Sequence, residues 1–277
     1  MTKTPEGWTP VPEQPERKNS PMVLLALGVA VVGVLALVTF NMLRPAKSLT
    51  VASLNSPVVA AVQGGSALYP ANSKEALSED VKFGYLPAVD LARTADGTLV
   101  LADPEAEPKA LGLQQAVAET DDATFAEAAI APAPDSERGG TTLTWAKALE
   151  AFGSATVLMP AVEADTIAEV LETVDAAGRS DGVIVRSDDP AVLKQAGDAG
   201  VTALFDGEAA GPDAVDAPMA AVPADAENLQ DWFDSDVQIW VTGVETEAQL
   251  NELAAAGAYG AFAANPFSIQ PSAVKTD

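Results

Sequence analysis

Residues 22–43 form an unbroken apolar run without a single charge. Thirteen of these 22 residues are Leu, Val or Phe, and each such residue favours bilayer insertion by about 0.3–0.6 kcal/mol near the centre. As an α-helix the run spans about 33 Å, against roughly 30 Å of hydrocarbon. A buried core helix of that length would show a polar face, and this run has none. A cleaved leader would have a shorter apolar region ending in small residues, and the stretch from Asn41 to Lys47 has no A-x-A pattern. The run predicts one retained transmembrane helix.

Arg17 and Lys18 precede the helix, and Arg44 and Lys47 follow it. With Lys3 the basic residues stand three to two in favour of a cytoplasmic N-terminus, which puts the large C-terminal part outside the cell membrane. Ala26, Ala30 and Gly33 fall on one helix face, where small residues let a second helix approach closely. Residues 1–21 carry prolines at 5, 10, 12, 15 and 21 and predict a disordered cytoplasmic tail. Residues 44–56 read as a linker and 269–277 as a tail.

The absence of Cys and His restricts the chemistry. It removes disulfides, thiolates and the commonest metal ligand and general base. Residues 48–277 carry 10 basic and 37 acidic groups, a net charge of −27. Such a surface repels nucleic acid and anionic lipid, so no nucleic-acid partner is expected.

Beyond Pro45, short apolar stretches alternate with helical ones. Strands are predicted at 58–62, 86–91, 98–101, 156–159, 182–185, 201–205, 219–222, 237–241 and 260–263. Helices are predicted at 73–83, 145–152, 164–177, 191–199 and 245–256, with Gly84, Gly153, Gly178, Gly200 and Gly257 near their C-terminal ends. Strand–helix alternation implies a parallel sheet with crossover helices. About eight strands over such a length fit an α/β fold of the TIM-barrel, or (β/α)-barrel, type. An open doubly wound sheet is the alternative, but no Gly-rich phosphate loop follows a strand. Residues 104–140 and 206–218, rich in Ala, Pro, Asp and Glu, read as insertions at strand ends.

Spaced pieces over residues 57–268 resemble the glycerophosphodiester phosphodiesterases. Residues 59–65, Val-Ala-Ala-Val-Gln-Gly-Gly, resemble that family's first strand, which ends in Ala-His-Arg-Gly. Residues 70–73, Pro-Ala-Asn-Ser, resemble its Pro-Glu-Asn-Thr. Residues 84–91 with the turn at 94–97 resemble its Glu-x-Asp-Val strand and Lys-Asp-Gly turn, and 99–103 the strand ending in His-Asp. Residues 237–242 resemble its Val-x-Val-Trp-Thr-Val, and 257–266 its last strand. The resemblance implies a barrel whose chemical residues are replaced. Gln63 stands at the first catalytic histidine, Ala102 or Asp103 at the second, and Gly64 at the phosphate-binding arginine. Ala71, Ala88 and Pro160 stand at metal carboxylates, of which Asp90 alone is retained. Gln does not exchange a proton near neutral pH, and hard cations need several oxygen ligands.

These readings predict a degenerate, non-catalytic pseudo-phosphodiesterase, with no catalytic residue, metal or cofactor. It would serve as an accessory subunit of an integral membrane protein complex, contacting it through the helix and the barrel surface. The Ala-rich, acidic composition resembles that of actinobacterial proteins. In that setting the respiratory supercomplex of cytochrome c reductase and cytochrome oxidase is one candidate host by analogy of architecture and size, and cell-envelope assembly machinery is another. Two alternatives remain open. One is a ligand-binding barrel whose mouth is lined by Gln63, Asn72, Asp90 and Trp240. The other is an enzyme rebuilt on Asp90, Asp103, Asp206 and Glu208.

Overall fold

The computed structural model describes residues 48–134 and 136–270. The expected tail at 1–21, the expected membrane helix at 22–43 with Ala26, Ala30 and Gly33, and most of the tail at 269–277 lie outside the described residues. Among the described residues no helix is long and apolar enough to cross a membrane.

The elements in chain order are β1 (Val58–Val62), α1 (Lys74–Phe83), β2 (Leu86–Ala88), β3 (Leu91–Arg93), β4 (Leu99–Leu101), α2 (Asp122–Glu127), β5 (Ala129–Ile130), β6 (Gly140–Thr141), α3 (Trp145–Phe152), α4 (Ile167–Ala176), β7 (Ile184–Ser187), α5 (Pro190–Asp198), β8 (Thr202–Phe205), β9 (Met219–Pro223), α6 (Leu229–Phe233), β10 (Gln238–Thr242), α7 (Glu247–Ala256), β11 (Gly260–Ala263) and α8 (Pro266–Ile269). A seven-stranded sheet runs β2-β1-β11-β10-β9-β8-β7, and its pairings are all parallel.

The curled sheet is joined at its two ends by the extended stretch 157–162. On one side Met159 N–H donates to Pro87 O at 2.9 Å and Ala161 N–H to Val89 O at 2.8 Å. On the other, Ile184 N–H donates to Leu158 O at 3.0 Å and Arg186 N–H to Pro160 O at 2.9 Å. The expected strand at 156–159 is therefore present as a stave, reduced to isolated bridges. Pro160, lacking an N–H, interrupts the ladder there. The expected strand at 98–101 is not a barrel stave. Residues 91–101 fold back as an antiparallel ribbon of β3 and β4, turning at Gly97 with φ 94°.

Side chains alternate across the staves, as strand geometry requires. Val58, Ala60, Leu86, Ala88, Val157, Met159, Ile184, Leu204, Met219, Ala221, Trp240 and Phe262 form one buried cluster inside the barrel. Val59, Ala61, Val185, Ala203, Ala220, Val222, Ile239, Val241 and Ala261 join the helices in a second, outer cluster. With few aromatics available, Trp240 supplies much of the inner volume. Its indole lies over Gly260, where an added Cβ would sit 2.8 Å from the ring.

Part of the expected linker at 44–56 belongs to the domain. Leu49, Val51 and Leu54 pack against the inner cluster. Leu49 N–H donates to Ser154 O at 3.1 Å, and its carbonyl accepts from the Arg179 guanidinium at 2.6 Å. At the other end Ile269 is fully buried, so the barrel runs slightly past the expected limit of 268. The insertion at 104–140 carries its own core of Leu111, Leu113, Val117 and Phe125 packed on Val100 and Ala102.

Asp80, on α1, is fully buried, and neither carboxylate oxygen has a partner among the described residues. Burial pushes its pKa up to about 8, with the charge of Glu79 adding to the shift. The proton is thus held more tightly in the folded chain than in the unfolded one, where Asp titrates near about 3.9. Stability from this group is full below about pH 4 and falls as the pH rises towards 8. In thermal melts, the Tm of Asp80→Asn minus that of the wild type should grow steadily between pH 5 and pH 8. A difference independent of pH would contradict the assignment. Truncating Trp240 to Ala should cost about 3–5 kcal/mol in denaturant unfolding, because the barrel interior has little to refill the space.

Candidate functional site

Three staves continue their inward alternation past their last apolar residue, and each presents a charge. Ala88 is followed two residues on by Asp90, Ile184 by Arg186, and Leu204 by Asp206. All three lie at the C-terminal ends of the staves, the end at which barrels of this type carry their sites. Arg186 Nη1 donates to Asp206 Oδ2 at 2.7 Å. Its Nη2 donates to Val89 O at 3.3 Å and to Asp90 Oδ1 at 3.5 Å. Its Nε donates to Met159 O at 3.0 Å. The side chain of Arg186 is 10% exposed, against 21% for Asp90 and 32% for Asp206. The guanidinium also lies 5.6 Å from the centre of the Phe262 ring, within cation–π range.

Asp90 has other donors too. Gln63 Nε2 donates to its Oδ2 at 2.8 Å and reaches Asp103 Oδ2 at 3.4 Å. Asn72 Nδ2 donates to the same Asp90 oxygen at 3.4 Å, and Asn72 Oδ1 accepts from Asp90 N–H at 3.0 Å. Gln63 and Asn72 have φ of 53° and 54°, a left-handed conformation uncommon outside Gly. Backbone bonds hold them there: Asn72 N–H donates to Gln63 O at 2.8 Å and Gln63 N–H to Ala88 O at 2.6 Å. Two lobes open on either side. One, of 530 Å³, is bordered by Gln63, Asp90, Asp103, Glu163 and Arg186. The other, of 340 Å³, is bordered by Gln63, Asn72 and Asp103.

The structure brings Gln63, Asn72 and Asp90 together at the mouth, with Asp103 and Asp206 beside them. Trp240 is elsewhere. It pairs in register with Gly260 and Ala221, and Gly260 pairs with Val58, the first residue of β1. That puts the indole near the N-terminal end of the barrel, fully buried and away from both lobes. The indole faces the barrel interior, one layer below the mouth. Of the expected set Asp90, Asp103, Asp206 and Glu208, Asp90 shares Gln63 with Asp103 and Arg186 with Asp206, the three do not converge on one point, and Glu208 makes no hydrogen bond or ion pair to them among the described residues. Arg186 is not among the residues that the sequence motifs single out. Its signal is an arginine closing an otherwise apolar strand, Val183-Ile-Val-Arg186, two residues after an inward-facing Ile.

A divalent ion does not fit these residues. The Asp90 oxygens already accept from Gln63, Asn72 and Arg186, and a fixed guanidinium would repel a second cation. Hard cations need several oxygen ligands, and among the described residues no three carboxylates converge on a possible metal position.

No protein-family profile matches the sequence, and no curated protein does. Solved structures do match. A glycerophosphodiester phosphodiesterase from Agrobacterium tumefaciens superposes with a TM-score of 0.67 at 14% identity, covering 77% of this chain and 98% of the other. A glycerophosphoryl diester phosphodiesterase from Parabacteroides distasonis gives 0.68 at 13%, covering 83% and 88%. The phosphodiesterase domain of a Mycobacterium tuberculosis protein gives 0.64 at 15%, covering 77% and 98%. The fold is that of the glycerophosphodiester phosphodiesterases, a TIM-type barrel.

Removing the guanidinium leaves two acids at the mouth without their counter-charge. Arg186→Met should lower unfolding stability by about 2–4 kcal/mol. A double-mutant cycle with Asp206→Asn should give a coupling of about 1–3 kcal/mol. Additive effects would mean that the ion pair contributes nothing.

Proposed function

We propose that this chain is a non-catalytic, membrane-anchored barrel of the phosphodiesterase type, serving as an accessory subunit of a membrane protein complex. The observation that carries the non-catalytic part is the Arg186 guanidinium held between Asp90 and Asp206. It supplies, from within the chain, the positive charge that the resemblance would assign to a metal. An arginine is tethered and always protonated. It offers no open coordination position, so it cannot lower the pKa of a bound water as a metal does.

Two neighbours support the same reading. Gln63, at the place of an acid/base histidine in the resembling motif, is committed to two carboxylates and has no proton to exchange. Gly64, at the place of the phosphate-binding arginine, has φ 75°, and an added Cβ would sit 2.7 Å from Ala76 Cβ. A longer side chain does not fit there without moving α1.

The accessory-subunit part rests on the apolar run at 22–43 and its small-residue face, which imply a single-pass protein of the cell membrane. The respiratory supercomplex is one candidate host, and cell-envelope machinery is another. A second reading, a ligand-binding barrel, draws on the 530 Å³ lobe lined by Gln63 and Asp90. A thermal-shift screen with glycerol and simple sugars would reveal it.

Purified full-length protein with Mg²⁺ or Ca²⁺ should release no glycerol 3-phosphate from glycerophosphocholine above the buffer rate. Hydrolysis that disappears in Asp90→Ala would overturn the non-catalytic reading. From membranes solubilised in mild detergent, the chain should elute in fixed ratio with a larger complex. Recovery only as a free monomer would overturn the subunit reading.

A further inference from the structure

The barrel mouth holds more negative charge than its own ion pairs engage. Its two lobes meet at Gln63 and Asp103, which border both. Around them stand five carboxylates, Asp90, Asp103, Glu105, Glu107 and Glu163, against one cation, Arg186. Arg186 is paired with Asp90 and Asp206, and its other donors go to the carbonyls of Met159 and Val89. Asp103, Glu105, Glu107 and Glu163 pair with no cation among the described residues. Lys109, on the same turn as Ala110, borders neither lobe.

Hydrogen bonds do not remove this charge. Asp103 accepts from neutral groups, Glu105 N–H at 2.9 Å and Gln63 Nε2 at 3.4 Å. The carboxylates of Glu105, Glu107 and Glu163 accept no hydrogen bond among the described residues, and all three residues are exposed. The acids do not converge on a possible metal position; they are spread around the two lobes. That spacing suits cations carried on separate side chains better than a point ion, which needs several oxygens at once.

On one side of Asp103 the surface is apolar. The 340 Å³ lobe lies between the loop at 66–72 and the insertion, walled by Tyr69, Pro70, Leu111, Ile130 and Ala133. The charged residues on its border are Asp103 and Glu107, both acidic. A slot of this size accepts one aliphatic or aromatic side chain, the kind of anchor that dominates protein interfaces. The apolar slot and the uncompensated acids thus meet at one residue, Asp103.

We propose that the mouth docks a basic segment of a partner protein. An apolar side chain of the segment fills the 340 Å³ lobe, a neighbouring Lys or Arg meets Asp103, and a further base meets Glu163 across the 530 Å³ lobe. The charge of the whole domain acts in the same direction. With 37 acids to 10 bases over residues 48–277, it attracts a basic partner from a distance and repels acidic protein and anionic membrane. The guanidinium does not oppose this docking, because Asp90 and Asp206 outweigh its charge and the segment's bases meet acids that Arg186 does not pair with. The inference rests on the mouth alone and requires neither an inactive barrel nor a membrane anchor.

The test is selection of random dodecapeptides displayed on phage against the full chain held in phosphatidylcholine nanodiscs at physiological salt. Peptides with Lys or Arg beside a Leu, Ile or Phe should be enriched. A synthetic peptide of that type should bind about tenfold more weakly to Asp103→Asn/Glu163→Gln, and its affinity should fall with added salt. Ala110→Trp, at an exposed position on the border of the smaller lobe, obstructs the slot without changing charge and should weaken binding about as much. Glu247→Gln/Glu252→Gln removes the same charge from exposed positions of α7 and should leave binding unchanged. Thermal melts matching the wild type will show that the variants are folded. Selection of acidic or uncharged peptides, or of none, would overturn the proposal. So would basic peptides enriched without an apolar position, or equal losses in the mouth and α7 variants, since either would reduce the binding to the domain's general charge. Spermine binding that depends on Asp103 and Glu163, with no peptide selected, would indicate a small-cation site instead. Because the selection uses the isolated chain, its failure leaves the co-purification result untouched, and the reverse also holds.

Discussion

The ion pair between Arg186 and Asp206, extended to Asp90, is the interaction on which the barrel mouth depends. Three staves end in charges that point into the half-buried mouth. Without the guanidinium, two partly exposed carboxylates would be left without their shared counter-charge. With it, each acid has a counter-charge, and the backbone carbonyls of Val89 and Met159 take up further donors. The arginine thereby ties together β2, the closing stretch 157–162, β7 and the residue following β8. The charged groups of the mouth are thus bonded to one another beside the 530 Å³ lobe.

The loop from Gln63 to Asn72 belongs to the same network. Its two left-handed residues exchange a backbone bond, and both side chains reach Asp90. Unusual backbone geometry held by hydrogen bonds is characteristic of sites, and here the result is a rigid polar floor. Its polarity allows hydrogen bonding to a ligand, and Asp90 beside it already accepts from Gln63, Asn72 and Arg186.

Much of the fold was legible in the sequence. The staves at 58–62 and 260–263 were placed to the residue, because apolar runs bounded by Gly and Pro have few other readings. The ribbon of β3 and β4 is not distinguishable from a stave in the sequence, since an apolar triplet such as Leu99-Val-Leu101 looks alike in a barrel and a hairpin. Leu49 to Leu54 reads as linker because three spaced apolar residues carry no periodic signal. The mouth was legible in part. Gln63, Asn72 and Asp90 follow from motif position, whereas Arg186 depends on which strand face turns inward, and single residues do not declare that. For Trp240 the sequence indicates the inward face but not the depth. Sequence alternation fixes direction but not layer.

The closing register of the barrel has a consequence for how the chain is made. Val58 pairs with Gly260, and Ala61 with Ala263, so the first stave completes its hydrogen bonds only with the last. Contacts so distant in sequence form slowly. While the chain emerges from its N-terminus, β1 carries an unpaired edge and the inner face of the sheet lacks Trp240. The domain therefore remains open through nearly all of its synthesis, and its assembly is governed by the arrival of its final residues.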